Sequence, residues 1–243
     1  THPLSGDRIQ ALRETYIIDP AWEKPSDPVI EQRFQRVKAK LSGYMSEPAR
    51  TLRNFPESNS SIPARYARAY AWHKSAYPQK ALEEVNGLLA QDPNDPYFLE
   101  LQGQVLLESG RPADALPPLR KAVDNSRAQP LISAVLGHAL IATEDPKNVK
   151  EAEQVLKTAV ALDSQNPFAW YQLGIVYANK GDQARAALAS AERYQLMGNS
   201  SSLALRNAEI AMQGLPAHSS DWIRAQDISL VARAEVERTR KRR

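Results

Sequence analysis

The sequence has no cysteine, so no disulfide staples it and no thiolate can act as nucleophile or metal ligand. It also has no apolar run of the roughly 18 residues that a membrane-crossing helix needs. Histidine is scarce: only His2, His73, His138 and His218 occur, and no two stand one helical turn apart. A hydrolytic zinc site needs two such imidazoles, a third ligand and a glutamate to activate water. Neither catalytic zinc nor peptide cleavage is therefore expected of this chain. The 10 glycines form no phosphate-cradling loop, which excludes the common nucleotide-binding turns. No catalytic residue, metal or cofactor is expected here. The chain opens on Thr1-His2-Pro3, with neither a methionine nor a charged-then-apolar leader, and reads as a processed or excised fragment.

What is present is ordinary for a globular protein: 243 residues, 42% hydrophobic and 24% charged, enough to bury a sizeable core. The net charge of +3 has a local origin. Arg233, Arg238, Arg240, Lys241, Arg242 and Arg243 crowd the C-terminus against Glu235 and Glu237. Such a tail reads first as a solvated helix end whose cations complement the helix dipole, and second as a weak contact for a membrane surface. Elsewhere the arginines scatter, so no nucleic-acid face is expected.

An internal repeat organises the middle of the chain. Residues 97–123, 131–160 and 168–194 align with each other, each with a glycine in its first half and an alanine early in its second. The glycines Gly103, Gly137 and Gly174 are spaced by 34 and 37, and the alanines Ala115, Ala152 and Ala186 by 37 and 34. One three-residue insertion within residues 143–149 accounts for both. A weaker copy precedes these, with Ala69 and Ala81 each 34 residues before their counterparts Gly103 and Ala115. Small residues at these positions let neighbouring helices approach, while leucines and aromatics fill the layer between. The pattern resembles the tetratricopeptide (TPR) family, whose 34-residue unit pairs two antiparallel helices. Trp170-x2-Leu173-Gly174-x2-Tyr177 followed by Gly181-Asp182 carries the resemblance best. The last copy departs from it, with Ser190 and Arg193 where a large apolar residue and an alanine are expected, which predicts loose packing or a capping role.

The fold class expected is therefore all-α, a TPR-type α-solenoid of antiparallel helix pairs with helical extensions at both ends. Pro117-Pro118 predicts a kink or a shortened second helix in its repeat. Asp27-Pro28 starts a helix that runs to about Leu41 and carries Ile30, Phe34, Val37 and Leu41 on one face. Residues 45–62, with Pro48, Pro56 and Ser58-Asn59-Ser60-Ser61, read as linker or loop. After the repeats, helices are expected over residues 203–212 and 221–239.

A second resemblance concerns the opening residues. Thr1-His2-Pro3, with Arg8-Ile9 following, is similar to the segment that closes the catalytic domain of HExxH zinc metallopeptidases of the CAAX-protease-like superfamily. Bacterial members of the periplasmic BepA type carry TPR repeats after this point. Ala39-Lys40-Leu41, Pro63-Ala64-Arg65-Tyr66-Ala67, Glu100-Leu101-Gln102-Gly103 and Asp221-Trp222-Ile223-Arg224-Ala225-Gln226-Asp227-Ile228 extend the similarity along most of the chain. The resemblance implies that a zinc-bearing catalytic domain precedes this chain, that the whole is a periplasmic endopeptidase acting in outer-membrane protein quality control, and that the positions of His2 and Arg8 lie near the parent's active site. It divides the chain into residues 1–19, the end of that peptidase domain; 20–62, a helix plus linker; 63–195, four repeats; and 196–243, C-terminal helices and basic tail.

Function is then expected from the inner face of the array. Spacing puts Tyr66, Tyr70, His73, Glu100, Gln104, His138 and Tyr171 on the first helices, where concave solenoid faces bind proteins or peptides. Packing of the tyrosines between helices is the competing structural reading. The lysine and asparagine set that clamps a terminal carboxylate in chaperone-binding TPRs is absent, so that ligand is not expected. The upstream peptidase domain is a further expected partner. A free-standing TPR adaptor with no protease link is the alternative, and a TPR-bearing enzyme or nucleic-acid binder the third reading.

Overall fold

The structure, a computed structural model, describes residues 5–198 and 200–241, without the side chains of Trp22 and Lys241. His2, Arg242 and Arg243 thus lie outside the described residues. Thirteen α-helices follow one another among those described. They are α1 (Ser5–Tyr16), α2 (Pro28–Met45), α3 (Pro48–Asn54), α4 (Ile62–Lys74), α5 (Pro78–Leu89), α6 (Pro96–Glu108) and α7 (Pro112–Asn125). Then come α8 (Pro130–Ala142), α9 (Val149–Leu162), α10 (Pro167–Asn179), α11 (Gln183–Met197), α12 (Ser201–Gly214) and α13 (Ser220–Lys241). Helices α4 to α11 form four hairpins, and α12 and α13 continue the stack as a fifth pair.

Local chemistry sets the helix starts. The first helix of each hairpin follows a capping side chain and an early proline: Ser61 and Pro63, Asp95 and Pro96, Gln129 and Pro130, Asn166 and Pro167. Each cap accepts from first-turn amides, and proline costs nothing where the amide would be unpaired anyway. The turn inside each hairpin places its corresponding residue in the left-handed region: Ala76, Gly110, Glu144 and Gly181, with φ of 59°, 77°, 53° and 77°. Two of the four copies use the residue suited to that conformation. The inserted residues of the third hairpin form a 3-10 turn, Pro146–Asn148, just after this position.

The repeat core is one continuous layer. Leu101, Leu119, Leu136, Leu140, Leu156 and Leu173 are fully buried between successive helices. A Cβ added at Gly103 would stand 2.3 Å from Leu119 Cγ, and one at Gly137 would stand 2.5 Å from Leu156 Cγ. These two glycines make the same contact one repeat apart. Gly174 faces the same interface, yet its added Cβ would meet nothing nearer than Ala189 Cβ, at an ordinary 3.4 Å. The fourth repeat, which lacks the opposing leucine, is looser there.

Two expectations need correction. Residues 45–62 are not a plain linker: they contain α3, whose Thr51 hydroxyl donates to Ser42 O at 3.3 Å. The loop after α3 is pinned by Arg68, 1% exposed, which donates to the carbonyls of Pro56 and Asn59 at 2.8 Å and pairs with Glu84 at 2.6 Å. Of the kink or shortening expected from Pro117-Pro118, the shortening does not occur: α7 runs over Pro112–Asn125 with both prolines inside it. The carbonyls they leave unbonded, on Ala113 and Asp114, belong to exposed residues where water can satisfy them.

The N-terminal helices behave differently. Every residue of α1 is exposed, Arg8 included, and α2 buries only Ala39 and Gly43. The apolar face read from the sequence, Ile30, Phe34, Val37 and Leu41, is exposed at 52–64%.

Candidate functional site: the inner face of the repeat array

Helices α4, α6, α8 and α10 form the inner layer, and their side chains meet across repeats. At its N-terminal end Tyr66, Tyr70 and Phe98 cluster, with ring centroids of Tyr66 5.6 Å from Tyr70 and 5.3 Å from Phe98. Tyr66 and Tyr70 are buried, so the expectation that they face an open concave surface does not hold. Helix α2 lies over them. Burial pushes both phenols well above the usual tyrosine range.

The cover is held by α2's polar side. The Arg36 guanidinium grips Asp95 with both arms, at 2.5 and 2.6 Å, and its centre sits 4.3 Å from the Phe98 ring. Lys40 lies 5.8 Å from the rings of Tyr70 and Tyr97, with its ammonium 3.9 Å from Glu100 Oε2. At Gly43 the two backbones touch: an added Cβ would stand 2.6 Å from Ala67 O. Burial raises the Glu100 carboxyl above its ordinary value, and Lys40 offsets this only in part. A cavity of about 560 Å³ remains between α2 and the array, lined by Arg33, Arg36, Val37, Lys40, Tyr66 and Tyr97.

Further along, His73 and Gln104 converge on a residue that the sequence reading passed over, Glu108, with His138 close enough to feel its charge. His73 Nε2 is 2.7 Å from one Glu108 oxygen, and Gln104 donates to the other at 2.9 Å. The hydrogen bond from His73 holds the Glu108 carboxyl below the usual range. Burial lowers the His138 imidazole, against the opposing pull of Glu108. His138 also meets Phe168 edge-on, with centroids 5.7 Å apart. The repeat period held the signal for Glu108, which follows His73 by 35 residues and so occupies nearly the corresponding place on the next inner helix.

The C-terminal half of the layer is open and mostly apolar. Leu131, Phe168 and Tyr171 are exposed at 60%, 40% and 44%. Arg193, one of the departures from the repeat pattern, stacks on Tyr171 at 4.4 Å. Beside it a cleft of about 360 Å³ lies between α10 and α12, lined by Tyr171, Gly174, Ile175, Ser190, Asn207 and Ile210 among others. The structure thus brings Tyr66, Tyr70 and Glu100 together under α2, gathers His73 and Gln104 around Glu108, sets His138 against Phe168, and leaves Tyr171 in the open half. Among the described residues no three His, Asp or Glu side chains are grouped to hold a metal, and no helix is long and apolar enough to cross a membrane.

Comparison with known proteins agrees with this architecture. The beta-barrel assembly-enhancing protease of Yersinia pestis is 24% identical over 207 residues, covering 82% of this chain and 41% of that protein. The chain therefore spans less than half the length of this relative. Among solved structures, YrrB, described as a TPR protein with an unusual peptide-binding site, superposes with a TM-score of 0.54 at 21% identity, covering 72% of this chain and 90% of that one. MamA from Desulfovibrio magneticus RS-1 gives a TM-score of 0.54 at 21% identity, over 70% of this chain and 96% of that one. These likenesses concern the fold. The tetratricopeptide repeat profile matches residues 74–130 and 137–202, half of the chain, and the protein belongs to the tetratricopeptide repeat family.

Proposed function

We propose that this chain is the protein-binding part of a bacterial periplasmic zinc metalloprotease, which captures substrates or outer-membrane assembly partners through the open half of its inner face. The TPR architecture supports protein or peptide binding in general. One observation favours a particular place for it: Leu131, Phe168 and Tyr171 stand exposed on successive inner helices, and Tyr171 lines a cleft. Exposed apolar and aromatic side chains along a solenoid groove suit an extended peptide or a partner helix.

The protease link rests on the similarity to the Yersinia protease and on the opening residues. In this reading catalysis and zinc belong to a preceding domain, and the exposed apolar faces of α1 and α2 are where that domain packs. The TPR segment then holds a client while the other domain cleaves. The basic end of α13 supplies at most a weak membrane contact.

Two experiments test this. Alanine at Leu131, Phe168 and Tyr171 together should cut capture of envelope proteins at least tenfold while melting stays cooperative; undiminished capture moves the site elsewhere. Reading the parent gene upstream of Thr1 should reveal a His-Glu-x-x-His motif, and its absence would favour a free-standing adaptor.

A further inference from the structure

The covered half of the inner face has an unusual occupant. Helix α2 turns two of its cations, Arg36 and Lys40, inward and most of its large apolar side chains outward. Arg36, Ala39, Lys40 and Gly43 recur every three or four residues and face the array, whereas Ile30, Phe34 and Leu41 lie on the far side and Val37 borders the cavity at the edge of the contact. What α2 meets is built to receive cations. Asp95 is buried and takes the Arg36 fork with both oxygens; the rings of Tyr66, Tyr97 and Phe98 surround that guanidinium within 5.6 Å. Glu100 follows one helical turn along α6, with an oxygen that has no hydrogen-bond partner among the described residues. Carboxylates beside aromatic faces bind guanidinium and ammonium groups through charge and ring quadrupole together.

We propose that Tyr66, Asp95, Tyr97, Phe98 and Glu100 form a second binding site on the array, selective for a helical segment bearing arginine and lysine four residues apart, and that α2 occupies it in cis. The proposal rests on reading the inner face as a recognition surface, and it concerns the half that the proposed client site does not use. A basic helix from a partner competes with α2 for the same carboxylates and rings. The side chains that recognise the site are polar and charged, and salt weakens such contacts more than it weakens the close packing at Ala39 and Gly43. Because α2 also carries the outward apolar stripe, whatever covers that stripe biases whether the site is open.

The test uses the full chain with Arg36→Ala and Lys40→Ala, and a fluorescent peptide corresponding to residues 28–45 as probe. A second peptide carries glutamate in place of both cations and keeps the apolar stripe. In anisotropy titrations the basic peptide should bind the double variant at least tenfold more tightly than the unaltered chain, and the acidic peptide should not bind saturably. Glu100→Gln added to the double variant should weaken the basic peptide several-fold. Equal binding of both peptides, or no binding to a variant that still melts cooperatively, would overturn the proposal. If the double variant fails to fold, hydrogen exchange on the unaltered chain decides. Amides of α2 should open well before those of α4 and α6; protection of all three to the same level would refute a displaceable occupant. Replacing Tyr171 should leave the peptide titration unmoved, which separates this site from the client site.

Discussion

Residues 28–45 and the hairpins that follow resolve the burial of apolar side chains in opposite ways. In the hairpins, leucine and aromatic side chains point inward against small residues on the next helix, and a single methyl decides whether two helices fit. In α2, the residues that meet the array include two cations, an alanine and a glycine, with Tyr44 edge-on to Tyr70, while Ile30, Phe34 and Leu41 face outward. The hairpin stack gains its stability from area removed from water and from close packing, neither of which titrates with pH or is screened by salt. Helix α2 adds to a narrow packed strip at Ala39 and Gly43 a set of ion pairs and cation–π contacts, which do respond to both. One region is a scaffold and the other a layer laid upon it.

The packing side of that contrast carries the largest expected effect. Gly103→Ala puts a methyl into Leu119 at 2.3 Å and should destabilise the chain by about 1–3 kcal/mol through overpacking. Gly174→Ala meets only an ordinary contact at 3.4 Å, so the better helix propensity of alanine should win and stabilise by about 0.5–1 kcal/mol. Thermal or denaturant unfolding of the pair checks the opposite signs. Equal losses would mean that the fourth repeat is packed as tightly as the others and that its cleft is not a consequence of the missing leucine.

Most of the stack was legible in the sequence because its rule is local and repeated. A small residue at a fixed period, a capping side chain before proline and a leucine one helix later suffice to place α4 to α11. The departures Ser190 and Arg193 fall in the repeat whose Gly174 faces no leucine, and both residues border the open half. The site was less legible. Helical spacing put Tyr66 and Tyr70 on the inner face, but spacing within one helix cannot say that a segment about thirty residues upstream folds back over them. The apolar stripe of α2 also misleads, since the usual inference from such a stripe is that it faces the core. The cations at Arg36 and Lys40 were the available signal, and they acquire meaning only once Asp95 and Glu100 are seen opposite them.

Charge offers the next sharpening. Glu100 is buried with its carboxyl raised above the ordinary value, chiefly by desolvation. An acid whose folded-state value is raised favours the folded state below its unfolded-state value, and that advantage is lost as pH rises through the folded-state value. At pH 7 the charged form is therefore a burden that Lys40 relieves only partly. Glu100→Gln should raise the melting temperature by a few degrees at pH 7, with the gap closing as pH falls towards 4. A variant less stable at pH 7 would show that the Lys40 pair outweighs the desolvation, and that α2 is bound more firmly than its geometry implies.

The smallest expected effect is the most informative about α2. Phe34→Gln and Leu41→Gln replace side chains that are 57% and 52% exposed, with residues of good helix propensity. In this chain each should change stability by no more than about 0.5 kcal/mol, as surface substitutions do. Truncating a buried leucine such as Leu156 would by comparison cost about 2–5 kcal/mol. If either glutamine variant loses 2 kcal/mol or more in denaturant unfolding, the outward stripe is already packed in solution and the contrast between scaffold and layer fails. If both are neutral here yet destabilise a longer form of the protein that includes the residues before Thr1, the stripe is the seat of whatever those residues build. The same two substitutions then distinguish a helix that merely caps the repeats from one that joins them to a neighbour.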